Sequence, residues 1–237
     1  MRPKRHLIVN ADDFGRSPGV NQGIIAAYEG GIVTSASMMV RWPAAAEAAT
    51  YSRAHPALSL GLHFDFGEWV YQRGSWIPVY KIASTDDLTA VAQEATRQLS
   101  AFRRLMGCDP THLDSHQHVH RQEPVHSVLI GIARKLAVPL RHYCRRIGYC
   151  GSFYGQTAQG LPLPGAISVD TLLGILSALP PGITELACHP GVGEDLESGY
   201  REERAQEVET LCDSRVRAAI VAEEIELWSF GNIQVML

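Results

Sequence analysis

The chain has 237 residues, and 46% of them are hydrophobic, which fits an ordinary globular core. A chain of this length is long enough for one large domain, and we expect a single domain over residues 1–237. The formal net charge of −4 gives no reason to expect a nucleic acid or an anionic membrane surface as partner.

The predicted strands are short apolar runs, and several of them lack polar alternation. Strands of this kind are buried on both faces of a parallel sheet. Seven such runs occur, at His6–Ala11, Val33–Val40, Leu58–Phe66, Thr111–Ser115, Pro139–His142, Glu185–Cys188 and Leu227–Phe230.

Amphipathic stretches between these runs predict six helices. About seven β/α repeats indicate the α/β class with a parallel sheet. We expect the sheet to close into a barrel, because seven units in one open sheet would make it very wide. The predicted helices are Asn21–Glu29, Ala44–Arg53, Asp86–Leu105, Pro124–Leu136, Val169–Ala178 and Tyr200–Glu223.

Two segments interrupt this alternation. Gly67–Lys81 is aromatic and irregular, with Trp69 and Trp76 among its residues, and Gly148–Gly165 is rich in glycine, proline and aromatic residues. Long loops in compact domains are usually binding elements or lids. The alternative is a surface excursion packed by its own aromatic side chains, and the segments alone do not decide between the two.

The cysteines and the apolar runs bear on the cellular compartment. Five scattered cysteines without a C-x-x-C pair argue against a disulfide framework or a zinc ribbon and favour a reducing compartment. Only Leu7-Ile8-Val9 follow the basic start before polar residues, which is too short for the core of a signal peptide. No run approaches about 18 apolar residues, so no membrane span is predicted. We therefore expect a cytoplasmic protein.

Acidic and imidazole side chains stand at the carboxyl ends of four predicted strands. In parallel α/β folds the active site lies at that edge of the sheet. Each of these residues alone is a weak signal, and their convergence on one edge is the strong one. They are Asp12 and Asp13 after the first strand, His63 in the third, Asp114 and His116 in the fourth, and His189 after the sixth.

Each residue also has a simpler interpretation. The acid pair could form a turn, and His63 could be a core histidine. Strand alternation makes His116 the best ligand candidate. His118 and His120 could equally line the rim of a site or be exposed loop residues. The Cys188 thiol is expected to point into packing, since neighbouring strand residues face opposite ways.

These residue types suit metal-assisted hydrolysis. One carboxylate and two imidazoles can hold a divalent cation with open positions for water and substrate. The cation activates water, a second carboxylate takes the proton, and a separate histidine donates one to the leaving group. This inventory matches hydrolysis of an amide or an ester.

The motifs together resemble the YdjC-like carbohydrate deacetylases, which include chitooligosaccharide deacetylases and the deacetylases associated with hopanoid biosynthesis. The resemblance implies a distorted (β/α) barrel of the polysaccharide-deacetylase type and metal-dependent removal of acetyl from N-acetylated sugars. The segments that carry it are Leu7–Gly15, Asn21–Ile24, Gly30–Ser35, Gly61–His63, His112–His120 and Cys188–Pro190.

The resemblance also implies roles for single residues. Asp12 corresponds to the general base and His189 to the general acid. The metal ligands would be Asp13, His63 and His116.

Further roles concern the surroundings of the metal and the substrate. Asp114 would orient a ligand histidine, and Arg141 is a candidate for binding the substrate or stabilising the oxyanion. Trp69 and Trp76 are candidates for stacking on sugar faces. The sequence around Phe64-Asp65-Phe66 departs from the family pattern, which puts the identity of the sugar in doubt. The cation is expected to be zinc or magnesium, and a homodimer is a family-level expectation.

Two other functions compete with this one. Two histidines and a carboxylate also form the iron site of non-haem oxygenases, although the usual scaffold of those enzymes is a β-sandwich or jelly roll. A barrel that binds carbohydrate without turning it over is the third hypothesis. The presence of both aspartates and all three candidate histidines disfavours it.

Overall fold

The computed structural model describes residues 3–193 and 195–234. In these ranges the strands are β1 (Arg5–Phe14), β2 (Ser35–Met38), β3 (Ser59–Phe64), β4 (Gly67–Gln72), β5 (Ser75–Lys81), β6 (Leu113–Ser115), β7 (Ile147–Cys150), β8 (Gly182–Cys188) and β9 (Ile225–Trp228). The α-helices are α1 (Pro18–Glu29), α2 (Ala45–Ala54), α3 (Leu88–Met106), α4 (Val125–Leu136), α5 (Val169–Ser177), α6 (Glu203–Cys212), α7 (Ser214–Ala222) and α8 (Phe230–Gln234). Short 3₁₀ helices span His116–Arg121 and Pro164–Ile167.

Seven strands form one parallel sheet in the order β6-β3-β2-β1-β8-β7, with β9 beside the start of β1. Along β1, residues 5–8 pair with β9, and residues from Asn10 onward pair with β2. The sheet is a half-barrel, which confirms the predicted distorted (β/α) barrel in an incompletely closed form.

The central strand β1 is covered on both faces. Leu7 and Val9 belong to the main hydrophobic core, whereas Ile8 packs on the opposite side with Phe230 and Ile233. All three β1 side chains are fully buried, and each contributes about 1.5–3 kcal/mol of burial free energy. This explains the uninterrupted apolar run in the sequence.

Among the predicted elements, one strand is reduced to a single bridge and one helix is divided into two. The strand predicted at Pro139–His142 is a single bridge between Leu113 and Leu140, because the chain turns at His142, whose φ is 69°. The long helix predicted at Tyr200–Glu223 is divided into α6 and α7. Asp213 is extended at the break and caps α7 by accepting a hydrogen bond from the next turn.

The aromatic segment Gly67–Lys81 is not an irregular loop. Its strands β4 and β5 form an antiparallel hairpin. The turn between them is Arg73-Gly74, and both residues have positive φ, of 50° and 84°. That combination is typical of tight hairpin turns.

Helix α1 packs directly on the loop that follows β8. A Cβ atom on Gly23 would lie 2.3 Å from Cα of Gly191, so only glycine fits at this contact. The close approach fixes the loop that carries His189, which belongs to the candidate site.

Candidate active site

The three predicted metal ligands come together from three parts of the sheet edge. Asp13 lies at the end of β1, His63 on β3, and His116 directly after β6. One ligand atom of each lies within 4.8 Å of those of the other two. Oδ1 of Asp13 is 3.5 Å from Nε2 of His63 and 3.2 Å from Nδ1 of His116.

The donor atoms fit a divalent cation. Oδ1 of Asp13 is buried, and in the described part of the chain it has no hydrogen-bond partner. A buried carboxylate oxygen without a partner is costly unless something else satisfies it. Together with two facing imidazoles it gives a three-donor set that could hold a metal ion, as catalytic metal sites do.

A local irregularity of β1 separates the two aspartates. The pairing register with β2 shifts between Ala11 and Phe14, and Asp13 has a left-handed backbone with φ of 71°. Irregularities of this kind redirect side chains at sheet edges. Asp13 therefore turns towards the histidines, whereas Asp12 reaches a different set of partners.

The charges around Asp13 stabilise its ionised form. Burial raises the pKa of Asp13, but the Arg204 guanidinium and the His116 imidazole outweigh it and hold the pKa well below its usual range. Burial likewise lowers the pKa of His116, and the Asp13 carboxylate outweighs it, raising the pKa to about 9. His63 has a raised pKa because Asp114 outweighs its burial, and Nδ1 of His63 donates a 2.7 Å hydrogen bond to Asp114.

Asp12 is held by a buried arginine. Arg141 donates two hydrogen bonds to it, of 2.6 Å and 2.8 Å. The same guanidinium lies 2.9 Å from Asp114 and 2.7 Å from Glu185. Its side chain is only 1% exposed, so this placement does not support the expected contact of Arg141 with substrate.

His189 lies beside Asp12. The distance from its Nε2 to Oδ2 of Asp12 is 3.8 Å. The rings of Tyr154 and Tyr200 pack around the imidazole at 5.4 Å and 5.3 Å, and its backbone N–H donates to Glu207. Burial lowers the pKa of His189 to about 4, so the imidazole is neutral near pH 7.

These groups open into a cavity of about 910 Å³. Small-molecule sites commonly have volumes of about 300–1,000 Å³. The walls include both tryptophans of the hairpin, Trp69 and Trp76, and Trp76 is 56% exposed. The amide of Gln117 accepts from the backbone N–H of Trp69 and donates to its carbonyl, which ties the hairpin to the site.

The remaining histidines of the sequence motif are also placed. His112 is buried and stacks on Phe230 at 3.7 Å, so it belongs to the core. His118 lines the cavity, and His120 is fully buried. Neither of the latter two is the exposed loop residue that the sequence allowed.

Sequence reasoning missed three charged residues at the centre. Arg204 pairs with Asp13 from helix α6, and Arg16 pairs with Glu68 beside the Nε2 atom of His116. Arg16 directly follows the acid motif of β1, and that position was its only signal in the sequence. Glu68 and Arg204 reach the site only through the fold.

Comparison with known proteins decides the family. Residues 6–222 match the profile of the family described as YdjC-like protein. The chain belongs to the YdjC-like family. It is 31% identical to a chitooligosaccharide deacetylase of Serratia marcescens, over 96% of this chain and 98% of that protein. It is also 31% identical to a carbohydrate deacetylase of Geobacillus stearothermophilus, over 95% of this chain and 97% of that one.

Solved structures show the same fold for this YdjC-like chain. A putative cellobiose-phosphate cleavage protein of Enterococcus faecalis superposes with a TM-score of 0.79 at 28% identity, covering 97% of this chain and 99% of that one. A family 4 carbohydrate esterase of Streptomyces lividans in complex with acetate superposes with a TM-score of 0.56 at 13% identity, covering 95% and 92%.

Proposed function

We propose that this protein is a metal-dependent carbohydrate N-deacetylase, a hydrolase that removes acetyl groups from N-acetylated sugars or oligosaccharides. One observation carries the proposal. The unpartnered Oδ1 of Asp13 faces His63 and His116, and a second acid–imidazole pair, Asp12 and His189, lies beside them in an aromatic cavity. The names of the relatives support the substrate class.

Asp13, His63 and His116 would hold the cation. Two nitrogens and one oxygen favour zinc or another transition metal, whereas magnesium prefers oxygen ligands. Both zinc and magnesium stay candidates for the ion. When bound, the cation lowers the pKa of a water molecule and polarises the acetyl carbonyl.

Asp12 is the residue we assign as general base. Arg141 and Asn10 fix its orientation, the latter through a 2.9 Å hydrogen bond. An ionised carboxylate has about four lone-pair positions, so Asp12 can still accept a proton from an attacking water while these bonds persist. Arg141 thus acts on the reaction by positioning the base.

We assign His189 as the group that protonates the leaving amine. Its imidazole is neutral at rest, so it must gain a proton before donating one. Asp12 is the nearest source, at 3.8 Å, and a movement of about 1 Å brings the pair to hydrogen-bond distance. The proton taken from water by Asp12 would then pass through His189 to the amine nitrogen, leaving acetate and a free amino sugar.

An acetate-release screen tests the proposal. The purified protein, stripped of metal and reloaded with zinc or magnesium, is offered N-acetylated mono- and oligosaccharides. We expect acetate and free amine in equal amounts, also without oxygen, from at least one of them. Turnover that requires oxygen would favour the iron oxygenase. Binding without acetate release, unchanged in Asp12→Asn, would favour the non-catalytic barrel.

Two further sequence predictions accompany the proposal. In the described part of the chain, no helix is long and apolar enough to cross a membrane. The cytoplasmic location and the homodimer stay predictions, to be checked by fractionation and by light scattering.

A further inference from the structure

A second cluster of histidines lies next to the proposed active site. His118, His120 and His142 each place one ring nitrogen within 4.8 Å of those of the other two. His118 and His120 belong to the 3₁₀ helix after β6, and His142 follows the bridge at Leu140. The proposed catalytic mechanism uses none of the three.

Each imidazole has one buried ring nitrogen that makes no hydrogen bond to any described residue. Within residues 3–193 and 195–234, Nδ1 of His118, Nε2 of His120 and Nε2 of His142 have no hydrogen-bond partner. His120 is fully buried, so a ring nitrogen without a hydrogen-bond partner is costly there. Each of the three clustered histidines therefore carries a nitrogen that a shared cation could satisfy.

The other ring nitrogens of two members are already engaged. Nδ1 of His120 lies 2.7 Å from Oγ of Ser115, and Nε2 of His118 lies 3.2 Å from the hydroxyl of Tyr149. When each of these nitrogens donates its proton, the unpartnered nitrogen of the same ring keeps a free lone pair. This is how metal-binding histidines are usually oriented by their surroundings.

The backbone and the charges agree with this arrangement. His118 and His142 both hold left-handed conformations, with φ of 53° and 69°, which non-glycine residues adopt mainly where the surroundings enforce them. The Arg141 guanidinium lies near the cluster. The positive charge of Arg141 is offset by three carboxylates.

We propose that His118, His120 and His142 form a second metal site, separate from the catalytic one, for a borderline divalent cation of the zinc class. Three nitrogen donors without a carboxylate exclude magnesium and calcium as preferred ions. A tetrahedral ion held by three imidazoles keeps one position for water or another ligand.

The ion would hold two segments beside the cavity together. It would join the 3₁₀ helix after β6 to the segment after Leu140. The same helix carries Gln117, whose side chain holds the backbone of Trp69. A structural cation here would thus fix the position of the hairpin through Gln117.

Zinc stoichiometry of the full chain tests the site. After removal of all metal, zinc chloride is titrated into wild type, His142→Gln, His116→Ala and the control His126→Gln. His126 also has a buried unpartnered nitrogen but lies outside the cluster. We expect two equivalents of zinc for wild type and His126→Gln. His142→Gln and His116→Ala should each lose one equivalent.

The thermal midpoint gives a second readout. Zinc should raise the Tm of His116→Ala, since only the second site can bind zinc in that variant. It should not raise the Tm of the double variant His116→Ala/His142→Gln. The proposal is overturned if His142→Gln still binds two equivalents, or if wild type binds one and His116→Ala none.

The proposals for the two sites can be contradicted independently of each other. A single equivalent that persists in His116→Ala and disappears in His142→Gln would support the second site and remove the first. If circular dichroism shows His142→Gln to be unfolded, the stoichiometry of His116→Ala decides alone, because one remaining equivalent supports the proposal and none overturns it.

Discussion

Asp12 and Asp13 are adjacent in the chain and are held by different arginines. Asp12 receives two hydrogen bonds from Arg141, whereas Asp13 pairs with Arg204 and faces the histidines. The irregularity in β1 is the physical cause of this division. It allows one residue to bind a cation while its neighbour stays available for proton transfer.

Replacing Asp12 by Asn tests this division. The isosteric amide cannot accept the proton from water, so we expect kcat to fall by about 10²–10⁴-fold. The metal content should stay within error of wild type, because Asp12 is not one of the proposed ligands. Activity assays and elemental analysis of the same preparation measure both. Loss of the metal together with activity would show that Asp12 takes part in binding it.

The raised pKa of His116 predicts that metal binding at the proposed catalytic site depends on pH. In the metal-free protein, the Asp13 carboxylate outweighs burial and raises the pKa of His116 to about 9. Below that pH the imidazole is protonated, and a cation must displace the proton to bind. Affinity should therefore rise with pH, about tenfold per unit for each displaced proton, and level off above pH 9.

Calorimetric titration of the His142→Gln variant, which isolates the catalytic site, measures this effect. Titrations in two buffers with different ionisation enthalpies give the number of protons released. We expect at least one proton per ion near pH 7. An affinity that is flat between about pH 6 and pH 8 would contradict the assignment of His116 as a ligand.

At the scale of elements, the loop after β8 depends on its contact with α1. The Gly23→Ala substitution places a methyl group 2.3 Å from Gly191, and the loop has to move. We expect a loss of about 1–3 kcal/mol in the free energy of unfolding, with lower kcat because His189 shifts. Urea denaturation and kinetics measure both effects.

Gly174→Ala is the matched control. Gly174 lies in helix α5 with open space around its Cβ position, so alanine should stabilise the protein by about 0.5–1 kcal/mol. Equal effects of the two substitutions would show that the contact of Gly23 is unimportant.

The hairpin of β4 and β5 was missed in the sequence for a physical reason. Most of β5 is exposed, so its apolar and polar residues do not alternate between a core and a solvent face. Pro78 also lies within the strand, which is tolerated only at a sheet edge. The Arg73-Gly74 turn was the signal that could have revealed it.

Substitution of Trp76 tests whether this hairpin binds substrate. Its side chain lines the cavity and is 56% exposed, so Trp76→Ala should leave the fold intact. Loss of one aromatic stacking contact should raise KM for an oligosaccharide about 2- to 10-fold, with metal content unchanged. Val221→Ala, at an exposed position of α7, is the control. An unchanged KM for every substrate would exclude Trp76 from the binding surface.

For the whole molecule, the sequence predicted a distorted barrel of about seven parallel strands, which the structure shows as a half-barrel. It also predicted the convergence of the candidate residues. Both follow from local information, since apolar runs mark buried strands and parallel strands end at one edge. The partners of those residues could not be predicted in the same way. Arg141 and Arg204 lie more than a hundred residues from Asp12 and Asp13, and only the packing of the sheet and helix α6 brings them together.

Anomalous diffraction from crystals of the zinc-loaded protein tests the central claim most directly. The account predicts a peak about 2.0–2.2 Å from Oδ1 of Asp13, Nε2 of His63 and Nδ1 of His116. An active, zinc-loaded protein with no peak between these three atoms would contradict it.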